Sequence, residues 1–166
     1  MTDSNPKINL LVLCTGNSAR SVMAEALFNQ LAGDRFCCFS AGSTPTGRVN
    51  PYAIEQLQKQ GMNTANLHSK SWLTFTQPES PKMDILVTVC ESAAREVCPV
   101  FHKDCEQVHW GLPDPAAVNS SPEGIAAAFH DCFEQLSQHI DTLRLAILPE
   151  TNSKDVAHIM RNIWAT

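Results

Sequence analysis

The chain has no run or face of basic residues. Lysine and arginine number 12 against 17 aspartates and glutamates, for a formal net charge of −5. Nucleic acid and anionic membrane surfaces are therefore excluded as expected partners, because neither meets the positive field it requires. No apolar stretch approaches the length of a membrane span. The first residues, Met1 to Lys7, lack the charged-then-apolar pattern of a secretory leader, and the expected location is cytoplasmic. There is no internal repeat, no low-complexity segment and no close C-x2–4-C pair of the kind a zinc site uses. The seven cysteines (14, 37, 38, 90, 98, 105 and 132) are odd in number and irregularly spaced, which excludes a structural disulfide framework. Reduced thiols are expected, a few doing chemistry and the rest filling core.

What is present alternates between strand and helix signals. Residues 7–13 form a continuous apolar run bounded by Pro6 and the Thr15-Gly16-Asn17 turn, and they predict a buried strand. A helix is expected over 21–31. A second strand is expected over 35–41, stopped by Gly42. Pro51 suits the first turn of a helix running to about Gln60 and closed by Gly61. Residues 84–89 and 107–110 read as strands, with a helical stretch after Cys90. Apolar residues recur at helical spacing from Pro122 to Ile147. The pattern implies an α/β fold: three layers, α/β/α, on a four-stranded, mainly parallel sheet. Such sheets bind ligands beyond the carboxyl ends of their strands, here the residues after Leu13, Ala41, Val89 and Trp110. Residues 1–148 are expected to make one domain and 149–166 a C-terminal helical tail. Its Val156, Ile159, Met160 and Ile163 share a face suited to packing on that domain, with a lid over the site or a dimer contact as the alternatives.

The chemistry concentrates at Cys14-Thr15-Gly16-Asn17-Ser18-Ala19-Arg20-Ser21, between the first strand and the first helix. A loop curling into a helix N-terminus turns successive N–H groups inward and adds the helix dipole, which suits a tetrahedral oxyanion. Thr15, Gly16, Asn17, Ser18, Ala19 and Arg20 are the candidate anion-binding residues. Gly16 is expected to supply backbone geometry that a side chain would obstruct. Asn17 is expected to hold the loop by bonding its backbone. Arg20 presents a planar fork that matches two oxygens at once. The same field favours a thiolate at Cys14, the candidate nucleophile. Ser21 is placed to donate a hydrogen bond to that sulfur. Asp114, between Pro113 and Pro115, is the candidate proton donor to a leaving oxygen, held extended by the following proline.

This loop resembles the phosphate loop of the low-molecular-weight protein tyrosine phosphatases and of the arsenate reductases built on their fold. The likeness extends to M-A-E at 23–25, F-S-A-G-S at 39–43, V-N-P at 49–51, V-T-V-C at 87–90, C-P at 98–99 and H-W-G-L-P-D-P-A at 109–116. It covers residues 7 to about 145. The resemblance implies a phosphotyrosine phosphatase I-like, flavodoxin-like winding and a general-acid role for Asp114. It also implies that Cys90 and Cys98 relay a disulfide outward after Cys14 has taken up arsenic. Arsenate is then the expected substrate, phosphate or sulfate a competing anion, and no bound cofactor is expected. The external reductant is thioredoxin, or glutathione with glutaredoxin. The alternatives are a phosphatase acting on phosphomonoesters, which needs one cysteine and water, and a sensor that keeps the loop without needing Asp114.

Two departures from the family pattern matter. Seven residues separate Cys90 from Cys98 where six are expected, which leaves the recycling partner open. Lys70 stands near a position where some reductases carry an aspartate that helps bind potassium with the loop asparagine, a glutamate and a serine. Asn17, Glu25 and Ser40 are present, but an ammonium at Lys70 predicts that no potassium is required and no metal bound. Cys37 and Cys38 face opposite sides of one strand and cannot jointly hold an ion. Cys132 falls on the apolar stripe of the long helix. His68, His102 and His109 are candidates to border the site, and Trp110 is expected to brace the acid loop.

Overall fold

Ile8–Cys14 alternates its side chains between two apolar environments, as a strand buried on both faces must. Ile8, Leu10, Val12 and Cys14 join one core cluster, whereas Leu11 and Leu13 join another. This strand, β1, lies in a four-stranded sheet with β2 (Phe36–Gly42), β3 (Ile85–Thr88) and β4 (Glu106–His109). The order is β2-β1-β3-β4 and all three pairings are parallel. The computed structural model describes residues 6–95, 101 and 105–165.

The helices are α1 (Arg20–Ala32), α2 (Pro51–Lys59), α3 (Glu91–Arg95), α4 (Pro122–Ala146) and α5 (Ser153–Ala165). Pro51 opens α2 as its position implies, and Asn50 caps it by accepting from the Tyr52 N–H. Gly61, just past the end of α2, takes φ +76°, a conformation glycine adopts at no steric cost. The larger cluster fills the space between the sheet and α1, α4 and α5, with Phe28, Trp110, Phe129 and Leu136 at its centre. On the other face, Leu11, Leu13 and Leu86 are covered by Met83, by Trp72 and Phe75 of a 3₁₀ turn (Trp72–Phe75), and by Phe39. The sequence pattern had not indicated that turn, because its few apolar residues show neither period.

The expected strands and helices are all present, with ends displaced by a residue or two. In α5, Val156, Ala157 and Met160 are fully buried in the main core. Cys38 and Cys132 are buried core thiols, and burial raises both above the ordinary thiol value, Cys132 to about 12. Cys98 and His102 lie outside the described residues. Among the described residues no helix is long and apolar enough to cross a membrane.

Candidate active site

Every parallel strand of the sheet delivers its carboxyl end to one edge, and β1 delivers Cys14 there. The turn that follows is anchored by its carbonyls. Thr15 O accepts from the Thr44 N–H at 2.9 Å, Gly16 O from the Thr46 N–H at 3.0 Å, and Ser18 O from the Asn50 N–H at 2.8 Å. With these carbonyls bonded outward, the Asn17 N–H donates to Cys14 Sγ at 3.2 Å. Cys14 is 4% exposed. Ser21 Oγ lies 2.9 Å from the same sulfur. When Cys14 is a thiolate, only the hydroxyl can donate in that pair.

The α1 helix starts directly behind the loop. Its N-cap is Ala19, which offers no side-chain hydrogen bond, and its first turn carries no acidic residue. α4, by contrast, starts on a capping side chain, Ser121. An uncapped helix start keeps its N–H groups and the positive end of its dipole available to an anion.

Two expectations about the loop are corrected. The left-handed residue is Asn17, with φ +45°, rather than Gly16. Asparagine tolerates this region better than other side chains do. A Cβ on Gly16 would meet only Thr46 Cγ2 at 3.3 Å and Ser18 Oγ at 3.7 Å. Nor does the Asn17 side chain bond the loop's own backbone. Its Nδ2 donates to Ser21 Oγ at 2.9 Å and to Ser40 Oγ at 3.0 Å, and its Oδ1 accepts from the Lys70 N–H at 2.9 Å. Asn17 is wholly buried and ties the loop to α1, to β2 and to the segment around Lys70.

Gly42 is the site residue that sequence reasoning had treated only as a strand stop. A Cβ there would lie 2.4 Å from Thr15 O, 2.9 Å from Cys14 O and 3.0 Å from Asn17 N, so the end of β2 can approach the loop only as glycine. The pairing of Cys14 with Gly42 was the available signal, but it requires the β1–β2 register.

Arg20 opens α1 and reaches the other wall. Its Nη1 donates to Leu112 O at 2.9 Å, and its Nη2 lies 3.7 Å from Asp114 Oδ2. The Asp114 backbone is extended, as its following proline requires. Its Oδ1 accepts from the Ala116 N–H at 2.9 Å and caps the 3₁₀ turn Pro115–Ala117, while Oδ2 faces Arg20. One carboxylate is thus both turn cap and partner of the guanidinium.

Cys90 follows β3 on the same edge. It is 5% exposed, lies 3.7 Å from Thr15 Oγ1 and accepts from the Ala93 N–H at 3.3 Å. Cys14 and Cys90 are both unbridged thiols. Next to Cys90, Glu91 Oε1 lies 3.1 Å from His109 Nε2, and His109 Nδ1 lies 2.8 Å from Thr88 Oγ1, so His109 links the ends of β3 and β4 to α3. Behind the loop, Lys70 Nζ lies 3.7 Å from Glu25 Oε1 and donates to His68 O at 3.0 Å. Burial raises the Glu25 carboxyl above its ordinary range, opposed by the Lys70 charge and by hydrogen bonding with Ser40.

A family model described as low molecular weight phosphotyrosine protein phosphatase matches residues 9–155. The chain belongs to this family. An arsenate reductase of Halalkalibacterium halodurans is 36% identical over 138 residues, covering 83% of this chain and 95% of that relative. A low molecular weight protein tyrosine phosphatase from T. tengcongensis shares the fold at a TM-score of 0.67 and 21% identity, over 85% of this chain and all of that one. A thioredoxin-dependent arsenate reductase of Corynebacterium glutamicum does so at 0.57 and 22% identity, over 84% of this chain and 64% of that one. Of the residues the sequence singles out, Cys14, Ser21, Arg20, Asp114 and Cys90 lie at one sheet edge in this chain. Cys98 lies outside the described residues.

Proposed function

We propose that this protein reduces arsenate to arsenite, with Cys14 as nucleophile. The observation that carries the reading is the pairing of two buried thiols at one edge. Cys14 is held by the Asn17 N–H and Ser21, and Cys90 stands 3.7 Å from Thr15 Oγ1 beside the same loop. Hydrolysis of a phosphomonoester needs only the first. The arsenate reductase of H. halodurans, similar over most of its length, supports the same reading.

The Cys14 thiolate attacks arsenic(V), and a hydroxyl of the arsenate leaves as water with a proton from Asp114. The loop amides and Arg20 hold the remaining oxygens. The Cys90 thiolate then attacks Cys14 Sγ. The electron pair of the sulfur–arsenic bond passes to arsenic, which departs as arsenite, and a Cys14–Cys90 disulfide forms. Cys98 attacks Cys90 and frees Cys14. An external dithiol, thioredoxin or a glutathione–glutaredoxin couple, takes up the oxidising equivalents from the Cys90–Cys98 disulfide.

The second reading is a phosphomonoesterase, favoured by the intact nucleophile, arginine and acid. The residues after the Asp114-Pro115 pair are Ala116, Ala117 and Val118, which give an aryl group no aromatic wall, while a small inorganic anion needs none. Arsenite production separates the two, measured with thioredoxin and then with glutathione plus glutaredoxin. Wild type is expected to turn over with one of these systems and Cys90→Ser with neither, while both hydrolyse an aryl phosphate at similar rates. Arsenite formation undiminished in Cys90→Ser would overturn the relay.

A further inference from the structure

The sheet order leaves β4 an outer strand, with no strand beyond it among the described residues. α5 lies along it and holds it at two points. Arg161 donates through Nε and Nη2 to Gln107 O at 3.1 and 2.8 Å, and through Nη2 to Glu106 Oε2 at 3.0 Å. At the other end of the strand, the indole N–H of Trp110 donates to the Met160 carbonyl at 2.9 Å. Trp110 is completely buried. Phe28 stacks on it at 5.9 Å, and His139 meets its ring edge-on at 5.3 Å, with Trp164 edge-on to that imidazole at 5.4 Å. The family match ends at residue 155, so most of α5 lies beyond it.

From Trp110 the chain runs directly into the loop that carries Asp114. Only Gly111, Leu112 and Pro113 intervene, and Leu112 O is the acceptor of Arg20 Nη1. A buried indole N–H that loses its acceptor costs about 1–3 kcal/mol, so Trp110 stays where Met160 holds it. With proline on either side of Asp114, the loop has little freedom to absorb a shift at its root.

We propose that α5 is a positioning element for the acid loop. By fixing Trp110 and the edge strand behind it, α5 sets the direction of the Asp114 carboxyl relative to Arg20 and the oxyanion loop. Trp110 and Arg161 are its positioning residues. The inference rests on the reading of Asp114 as general acid, and the test separates the two.

The measurement compares kcat/KM for phenyl phosphate, whose phenoxide needs a proton to leave, with 2,4-dinitrophenyl phosphate, whose phenoxide leaves without one. Amide exchange of residues 111–117 is followed alongside. Asp114→Asn is the control for the acid, and it should lose about 10²-fold or more on phenyl phosphate alone. Trp110→Phe is expected to lose about tenfold on phenyl phosphate and less than twofold on the dinitrophenyl ester, and Arg161→Ala to shift in the same sense. Exchange at 111–117 should quicken in both, with α1 and β1 unchanged. Equal losses on the two esters, or unchanged exchange at 111–117, would overturn the positioning role. No preference between the esters in Asp114→Asn would instead overturn the acid reading, and the inference with it. A chain ending at Glu150 also uncovers the surface that Val156 and Met160 bury, so the full-length variants decide the matter.

Discussion

Asn17 carries three duties at once: a left-handed backbone, an N–H on the Cys14 sulfur, and a side chain joined to Ser21, Ser40 and Lys70. Asn17→Ala removes both hydrogens that bind the two serines and strains φ. It is expected to weaken phosphate or arsenate binding at least tenfold and to destabilise the fold by about 1–3 kcal/mol, read by anion-protected thermal unfolding. Gly42→Ala tests the steric claim. With a Cβ 2.4 Å from Thr15 O, the loop must move, and alkylation of Cys14 should lose its protection by phosphate while the far-ultraviolet spectrum stays native. Behind the loop, Glu25 titrates above its ordinary 4.5 in the folded state, with burial the larger cause. The folded state then binds more protons than the unfolded one, so this group's contribution falls as pH rises from about 4.5 through the raised value. Lys70→Met removes the opposing charge and widens that window. Its stability deficit against wild type should grow with pH across the range, as urea midpoints at several pH values would report. A deficit that is constant with pH would remove Lys70 from that balance. Lys70 Nζ beside Glu25 also underlies the proposal that potassium is not needed. Activity in potassium-free buffer should match that in potassium within twofold, and strong stimulation would refute it.

At the scale of the element, α3 has to be both support and moving part. Its described residues are Glu91–Arg95, it begins directly after Cys90, and the Ala93 N–H donates to the Cys90 sulfur. Were the helix continued to Cys98, eight residues would span about 12 Å, whereas a disulfide needs Cα atoms within about 7 Å. Oxidation to the Cys90–Cys98 form is therefore expected to melt α3. Amides 91–95 should exchange faster in the oxidised protein than in the reduced one, and equal protection would sink the last relay step. The Glu91–His109 contact resists that melting, so Glu91→Gln should ease it.

The whole molecule brings chain segments far apart in sequence to one sheet edge: 14–21, 40–42, 69–70, 88–91 and 109–114. The sequence by itself determined the strand–helix alternation, because runs of apolar residues and the helical spacing over 122–147 are local signals. It made the candidate nucleophile loop legible as well, since that motif is contiguous and the chemistry proposed for it follows from residue types six apart. It also carried Asp114, whose extended backbone follows from the proline beside it. Tertiary structure alone decided which glycine the loop depends on, because the crowding at Gly42 exists only once β2 lies against β1 in register. It also decided that the left-handed position falls on Asn17, that Lys70 meets Glu25, and that α5 grips the strand leading to Asp114. Each of these depends on atoms brought together across tens of residues, and their separation in the chain leaves no periodicity or spacing from which to read them.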